Sequence, residues 1–268
     1  KGLPSGARAV YELALLADGQ PLSGLGGRSA PSVALDYTLR SDEEAHRIVV
    51  YELAADGSRR VVKSGAYQHA DKAVVFTVGS SGNYVIAYNP VHFQDVPKNH
   101  WAKESIESLA AREIVSGVGG DRFAPEEKIT RAQFIHLLVQ AFELPAAREH
   151  KASAGEPWYA ASMAAAQSLN IVQGFGNGDL GEAKLIPRQD MAVMLLRTLR
   201  AAGLELDAEA NPGARFADGA SISGYALEAV AALSESGVIT GMEDGRFAPK
   251  EPLTRAQAAR VVYILLGS

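Results

Sequence analysis

One short pattern occurs three times in the sequence, and this repetition constrains the fold more than any other feature. The segments "ITRAQ", "IPRQD" and "LTRAQ" begin at residues 129, 186 and 253, each before an apolar run. Aligning their arginines needs no gap inside any copy and gives offsets of 57 and 67 residues. A repeat of this length indicates one supersecondary unit used several times, with a core shared between neighbouring copies.

Four landmarks recur at fixed spacing in every copy. An aromatic residue lies 30 positions before the arginine, a glycine lies 16 positions after the aromatic residue, and a large apolar residue lies six positions after the glycine. In chain order the landmarks are Trp101, Gly117, Phe123 and Arg131; Trp158, Gly174, Leu180 and Arg188; and Tyr225, Gly241, Phe247 and Arg255. The shared spacing predicts three homologous repeats.

Each repeat is predicted to fold as helix, loop and helix. Apolar residues recur at helical period on both sides of a glycine-rich loop. In the first repeat they are Ile106, Leu109, Ala110 and Ile114, then Phe134, Leu137, Leu138 and Ala141. Thr130 and Gln133 have the spacing of a capping box at the start of the second helix, whereas Pro187 replaces the threonine in the second repeat. Two such helices cannot bury their stripes alone, so we expect the repeats to pack about a common axis.

Residues 1–90 have a different pattern, with short segments rich in Val, Tyr and Ile between turn signals. The predicted strands are residues 9–15, 32–39, 47–53, 59–67, 72–78 and 83–88. Alternation of Val33, Leu35, Tyr37 and Leu39 is typical of a half-buried strand. This region is therefore predicted to be a small antiparallel sandwich, Ig-like in character, or a barrel.

Composition excludes several classes of protein and site. The chain has no cysteine, which excludes disulfides and thiolate metal sites. A net charge of −5 argues against a nucleic-acid partner, and no apolar run approaches the ~18 to 20 residues of a membrane span, so we expect no membrane insertion. The six histidines are scattered rather than paired at ligand spacing, so we predict no metal and no cofactor.

The sequence contains no recognisable catalytic motif, so we predict that this chain is not an enzyme. It has no Gly-x-Ser-x-Gly elbow, phosphate-cradling loop or His-Glu-x-x-His segment. A glycosidase needs two carboxylates ~5 to 9.5 Å apart in a cleft. Glu104 and Glu107 lie one helical turn apart, but we interpret them as solvated carboxylates on a helix surface.

Capping explains the threonine and glutamine of the repeated motif but not its arginine. A cation in the first turn of a helix is disfavoured by the macrodipole by roughly 0.3 to 1 kcal/mol when exposed. Two interpretations remain open. The arginine is a solvated charge or contacts a carbonyl or carboxylate of a neighbouring repeat. Alternatively, its guanidinium and free N–H groups at the helix start form an anion site.

These landmarks resemble the S-layer homology domain. The resemblance covers residues 93–142, 158–199 and 216–266, about two thirds of the chain. The family's Thr-Arg-Ala-Glu motif matches "TRAQ" here, with Gln in place of Glu. The resemblance implies three modules in a pseudo-threefold helical assembly, which holds surface proteins of Gram-positive bacteria to a secondary cell wall polysaccharide linked to peptidoglycan. The implied ligand is an amino sugar carrying a pyruvyl ketal, bound in grooves between modules.

The predicted fold class is accordingly α+β and multidomain. An N-terminal all-β sandwich-like domain at residues 1–90 precedes an all-α pseudo-threefold assembly of helix–loop–helix modules at 91–147, 148–210 and 211–268. Residues 1–90 also resemble, more loosely, the β-rich segments that precede such modules and act as spacers.

The resemblance implies a set of glycan-binding residues. Arg131, Arg188 and Arg255 would bind the ketal carboxylate, and Trp101, Trp158 and Tyr225 would offer a face to the sugar ring. Asp95 and Asp218 would accept from hydroxyl groups, and Gly117, Gly174 and Gly241 would present backbone N–H groups. The alternatives are structural: aromatic rings packed on their own repeat, aspartates that cap helices and glycines that end them. Arg131 and Arg255 rank above Arg188, whose repeat lacks both the aspartate and the capping threonine.

The expected function is non-covalent anchoring of a secreted protein to the bacterial cell wall or S-layer. One alternative is the non-catalytic part of a wall-tethered glycoside hydrolase. Another is a purely structural module for self-assembly of a surface layer. Binding to purified wall polymer separates the anchor from the self-assembly module.

Overall fold

A computed structural model of the chain describes residues 3–18, 20–21, 30–54, 56–144, 155–176, 178–206 and 215–267. The chain divides into two compact units, one formed by Lys1–Phe123 with Leu266–Ser268 and the other by Ala124–Leu265. The predicted module boundaries at 147/148 and 210/211 fall outside the described residues, so the module limits remain predictions.

The first unit contains the β-strands. In chain order they are β1 (Ala7–Leu13), β2 (Leu16–Ala17), β3 (Gln20–Pro21), β4 (Ser32–Asp36), β5 (Ile48–Leu53), β6 (Arg59–Val61), β7 (Ala66–Gln68), β8 (Ala73–Thr77) and β9 (Gly82–Tyr88). Antiparallel pairing gives one sheet in the order β1-β9-β5-β6, a second in the order β4-β8-β7, and the small hairpin β2-β3.

Side chains from the two larger sheets share one core. Its buried members are Ile48, Val50, Val62, Val74, Phe76, Val78, Tyr84 and Ile86. The alternating residues Val33, Leu35, Tyr37 and Leu39 pack against this core, as the sequence pattern predicted. The described part of the chain thus combines two sheets with helices, which confirms the α+β class.

One strand prediction is wrong. Residues 59–67 do not form a single strand, because the chain leaves the first sheet after β6 and enters the second at β7. A turn joins the two strands, with the Gly65 N–H donating to the Val62 carbonyl at 3.0 Å. A Cβ on Gly65 would lie 3.1 Å from Val50 Cγ2, so the tight crossing favours glycine. The "KSG" turn signal inside the apolar run marked this break.

The helices agree with the helix–loop–helix prediction. They are α1 (Lys103–Ala111), α2 (Arg131–Ala141), α3 (Ala160–Ser168), α4 (Arg188–Ala202), α5 (Leu227–Glu235) and α6 (Arg255–Leu265). Short 3-10 turns lie at Ala45–Arg47, Gly219–Ser221 and Gly224–Ala226. Within the second unit, α2 packs on α3, α4 packs on α5, and α2 also contacts α4 and α6. No helix in the described ranges is both long and apolar enough to cross a membrane.

The apolar stripes of α2, α4 and α6 are buried as their periodicity predicts. The buried members are Phe134, Leu137, Leu138 and Ala141; Met191, Met194, Leu195 and Thr198; and Ala258, Val261 and Val262. Leu265, at the end of α6, is half-buried.

Two of these helices begin with the predicted capping box. The Thr130 hydroxyl accepts from the Gln133 N–H at 3.2 Å, and the Thr130 N–H donates to Gln133 Oε1 at 2.8 Å. Thr254 and Gln257 repeat both bonds at 3.1 and 3.0 Å. The helix α4 instead follows Pro187, which makes no side-chain cap.

Thr130→Ala is expected to lower the free energy of unfolding by about 1 kcal/mol, because the orphan N–H of Gln133 loses its acceptor. Urea unfolding followed by circular dichroism measures the change. Lys128→Ala is the control, because that side chain is exposed and only its backbone pairs with Thr254. Equal stability of the two variants would show that the cap contributes nothing.

The three segments that lead into α2, α4 and α6 meet in a closed ring of backbone hydrogen bonds. Ile129 donates to Leu253 at 3.1 Å, Leu253 donates to Ile186 at 2.9 Å, and Ile186 donates to Ile129 at 3.1 Å. All three side chains are buried. The ring brings the three copies of the repeated motif to one place in the second unit.

Candidate functional site

The first N–H groups of α2, α4 and α6 already have acceptors. The backbone N–H of each landmark arginine donates to a carbonyl in another repeat, at 2.9 to 3.0 Å. Arg131 donates to Lys184, Arg188 donates to Glu251, and Arg255 donates to Glu127. Each acceptor lies four residues before the landmark arginine of its own repeat. The following N–H groups also donate to another repeat: Ala132 to Glu182, Gln189 to Pro249 and Ala256 to Pro125. The expectation of free N–H groups at these helix starts is therefore wrong, and any anion site depends on side chains.

The Arg131 guanidinium is buried against the second repeat. Its Nε donates to the Leu180 carbonyl at 3.1 Å, and its Nη2 donates to the Gln173 carbonyl at 3.4 Å. Its Nη1 lies 2.8 Å from Asp190 Oδ2 in an ion pair. Burial lowers the pKa of Arg131, and the negative charge of Asp190 opposes that effect.

Arg188 makes the equivalent carbonyl contacts in the third repeat. Its Nε donates to the Phe247 carbonyl at 2.7 Å and its Nη2 to the Thr240 carbonyl at 3.5 Å, while its Cζ lies 5.0 Å from the Phe247 ring centroid. Burial lowers the pKa of Arg188, partly offset by the more distant charges of Glu251 and Asp218. Among the described residues, however, no carboxylate forms an ion pair with this buried cation.

The carbonyl contacts of Arg131 and Arg188 match the interpretation in which the arginine binds a neighbouring repeat. That role does not exclude ligand binding, because a guanidinium has five N–H donors. Arg255 is half-buried, and its backbone follows the same pattern as the other two arginines.

The three landmark aromatic residues are exposed rather than buried in the cores of their repeats. Trp101, Trp158 and Tyr225 have exposed fractions of 57%, 61% and 63%. The Trp158 ring lies nearly perpendicular to the rings of His136 on α2 and of its neighbour Tyr159, with centroids 5.1 and 5.3 Å apart. Trp101 stacks on the ring of His100. The exposed parts of these rings could contact a sugar, and sugar stacking remains a prediction.

The two aspartates hold the loops of their repeats. Asp95 Oδ1 accepts from the Phe123 N–H at 2.7 Å. Asp218 accepts from the N–H groups of Phe247 and Ala248 at 2.7 and 2.9 Å, and it makes no side-chain cap on the helical turn that follows. Burial alone would raise the pKa of Asp218, but these backbone bonds outweigh it and lower the pKa. The aspartates thus position the landmark apolar residues as well as offering acceptors.

The landmark glycines allow the backbone to turn back on itself. A Cβ on Gly117, Gly174 or Gly241 would lie 2.6, 2.8 or 3.0 Å from the carbonyl oxygen five residues later. That close approach explains all three glycines by packing, so their use as N–H donors to a ligand remains a prediction.

Sequence reasoning missed a buried ion cluster in the first unit. We interpreted Glu107 as solvated, but its side chain is fully buried, and this interpretation is wrong. Its Oε2 accepts from Lys103 Nζ and Arg47 Nη2, both at 2.6 Å, and lies 3.1 Å from His46 Nε2. Glu44, His46 and Glu107 lie close enough to hold a metal cation, but Glu107 Oε2 already accepts from two basic side chains, those of Lys103 and Arg47. No sequence signal pairs Arg47 with a residue 60 positions away.

Comparison with known proteins shows which family the repeats are similar to. Residues 92–135 and 215–259 match the sequence model of the S-layer homology domain family. These ranges contain most of the first and third repeats, and the divergent second repeat lies between them. S-layer homology domains are non-catalytic modules that anchor surface proteins to the cell wall.

Several curated proteins are similar to parts of this chain. An amylopullulanase of Thermoanaerobacterium thermosulfurigenes is 28% identical over 255 residues, 91% of this chain and 13% of the relative. Exoglucanase XynX of Acetivibrio thermocellus is 34% identical over 66% of this chain and 16% of the relative. S-layer protein sap of Bacillus anthracis is 30% identical over 63% of this chain and 20% of the relative.

The chain spans only 13 to 20% of the length of these relatives. The family match and the S-layer relatives together indicate a secreted protein of the bacterial cell surface.

Proposed function

We propose that this chain anchors a surface protein to the bacterial cell wall by binding a secondary cell wall polysaccharide that carries pyruvyl ketals. Three S-layer homology modules arranged about a pseudo-threefold axis would bind it in the grooves between them. The observation that carries the proposal is Arg188, a buried guanidinium with no ion-paired carboxylate among the described residues.

The hydrogen-bond ring supports the arrangement of modules. Ile129, Ile186 and Leu253 occupy the same position in the three repeats, two residues before the arginine, and each donates to one of the others. Equivalent backbone bonds at three equivalent positions are what a threefold relation would produce.

The chemistry of a pyruvylated amino sugar fits the exposed and buried groups described above. A ketal carboxylate and a guanidinium form charge-assisted hydrogen bonds, which are stronger than neutral ones. Trp158 and Tyr225 present exposed ring faces of the kind that stack on sugars. Asp218 keeps acceptor capacity, because each of its oxygens accepts one described hydrogen bond.

The relatives support a binding role rather than catalysis by this segment. An amylopullulanase, an exoglucanase and an S-layer protein share sequence with this chain, although their names describe different activities or none. A segment common to them fits a shared attachment function. The first of these alignments extends into the β-strand region, which supports a spacer role for residues 1–90. The parent protein would then be a wall-tethered hydrolase or an S-layer component.

Calorimetry with purified wall polysaccharide tests the proposal. We expect saturable binding to the pyruvylated polymer and at least a tenfold weaker interaction after the ketals are removed by mild acid, because each carboxylate contact contributes about 1.5 to 3 kcal/mol. Equal binding to both polymers would contradict carboxylate recognition. Absence of binding together with concentration-dependent assembly in light scattering would favour the self-assembly module instead.

A further inference from the structure

The third residue of α4 differs in its bonding from the third residues of α2 and α6. Gln133 and Gln257 use their side-chain oxygens to accept from the N–H groups of Thr130 and Thr254. Asp190 occupies that position in α4, but the residue before this helix is Pro187, which has no N–H and no hydroxyl. Neither half of a capping box can form there, so the Asp190 carboxylate is left for other partners.

Asp190 uses both carboxylate oxygens in other contacts. Oδ2 lies 2.8 Å from Arg131 Nη1, and Oδ1 accepts from the Tyr225 hydroxyl at 2.5 Å. The Tyr225 hydroxyl in turn accepts from Gln189 Nε2 at 2.6 Å. Lys250 Nζ donates to Gln189 Oε1 at 3.2 Å. These bonds fix the carboxylate against the Arg131 guanidinium.

The Arg188 guanidinium lacks this partner. The position equivalent to Asp190 in the third repeat is Gln257, whose side chain is neutral and caps α6. Arg131 and Arg188 make matching carbonyl contacts, but the net charge of the two sites differs, because only the Arg131 site includes a paired carboxylate. A carboxylate added at Arg131 would face Asp190 at close range, and like charges in a shared site repel. A carboxylate added at Arg188 would supply the missing counter-charge of a buried cation.

We propose that Asp190 sets the charge specificity of the two arginine sites in the second unit. Arg188 accepts the acidic, ketal-bearing sugar, whereas Asp190 already neutralises Arg131 and excludes that sugar from it. This inference rests on the proposed glycan-binding function. The substitution of "PRQD" for "TRAQ" is then a change in ligand preference at the neighbouring repeat rather than mere loss of a cap.

Side-chain NMR of the ¹⁵N-labelled chain tests this proposal. The Nε–H signals of Arg131 and Arg188, assigned with Arg→Lys variants, are followed during titration with the methyl glycoside of an amino sugar that carries a pyruvyl ketal. In the wild type we expect the Arg188 signal to shift and the Arg131 signal to stay. In Asp190→Asn both should shift, with affinity at Arg131 rising about tenfold to a hundredfold. Titration with the same glycoside lacking the ketal is the neutral comparison.

Asp179→Asn is the matched control, because it removes an exposed carboxylate of the same repeat that pairs with Lys184 and acts on Arg131 through its charge without an ion pair. It should leave the Arg131 signal unresponsive to the acidic sugar. The reciprocal variant, Thr254→Pro with Gln257→Asp, installs the second repeat's pattern in the third. It is expected to abolish the response of Arg188, and it tests the idea even if Asp190→Asn fails to fold.

The outcomes separate this inference from the proposed function. If Arg188 responds to the acidic sugar in both proteins but Arg131 responds in neither, Asp190 does not set specificity. The same conclusion follows if Arg131 already responds in the wild type as strongly as in Asp190→Asn. If neither arginine responds in either protein, carboxylate recognition itself is overturned.

Discussion

Glu107→Ala is expected to lower the free energy of unfolding by about 3 to 5 kcal/mol, the usual cost of removing one partner from a buried ion cluster. The Glu107 carboxylate neutralises Lys103 on its own helix and Arg47 beside strand β5. Its loss leaves both cations with the exposed carboxylate of Glu44 as their shared counter-charge, which cannot replace a buried one. Urea unfolding by circular dichroism measures the effect. Glu104→Ala, an exposed change in the first turn of the same helix, should cost no more than about 1 kcal/mol.

The pH dependence of this contribution has a defined sign. Burial alone would raise the pKa of Glu107, but hydrogen bonds from Lys103 and Arg47 outweigh it and lower the pKa. A carboxyl with a lowered folded-state pKa contributes its stability above its ordinary value of about 4.3 and loses it as the pH falls through the folded-state pKa. The difference between wild type and Glu107→Gln should therefore be full at pH 7 and shrink below about pH 4. A difference that is constant with pH would show that the carboxylate charge is not responsible.

Arg188→Met is expected to weaken binding of the pyruvylated sugar at its site by roughly tenfold to over a hundredfold, because the ligand loses a charge-assisted contact. The isolated saccharide is the appropriate ligand, since several sites on one polymer would mask a single loss through avidity. Calorimetry measures the affinity, after circular dichroism has shown that the variant is folded.

Arg200→Met is the matched control for this experiment. It makes the same substitution on the same helix, but the Arg200 side chain is exposed and, within the described part of the chain, forms an ion pair only with the exposed Glu228. Binding should be unchanged. If Arg188→Met also binds as tightly as the wild type, the buried arginine serves only to hold Phe247 and Thr240 through their carbonyls.

Sequence pattern predicted local structure well, because spacing alone determines it. The apolar stripes around Phe134, Met191 and Val262 are buried, and the boxes at Thr130 and Thr254 have the expected bonds. The predictions that were wrong concern contacts between residues that are distant in the chain. The crossing between sheets at Gly65 is set by Val50. The free N–H groups expected at helix starts were already bound by carbonyls of other repeats.

The candidate site divides in the same way. Alignment of the repeats identified Arg131 and Arg188 as equivalent, and their carbonyl contacts are equivalent too. The difference in net charge between their two sites could not be predicted from the motif around each arginine. That difference depends on Asp190, which lies 59 residues beyond Arg131. Pro187 was the available signal: an acid at the third helical position with no N–H to cap must find another partner.

The closed ring formed by Ile129, Ile186 and Leu253 has a consequence for proteins with a different number of copies of the motif. Each residue donates one backbone bond and accepts one within the ring, so every N–H of the ring already has its acceptor inside the ring. Stacked repeats that form open arrays keep a free end and lengthen by simple addition. We expect a protein with additional copies to begin a second, separate ring, and deletion of any one copy to open the existing ring.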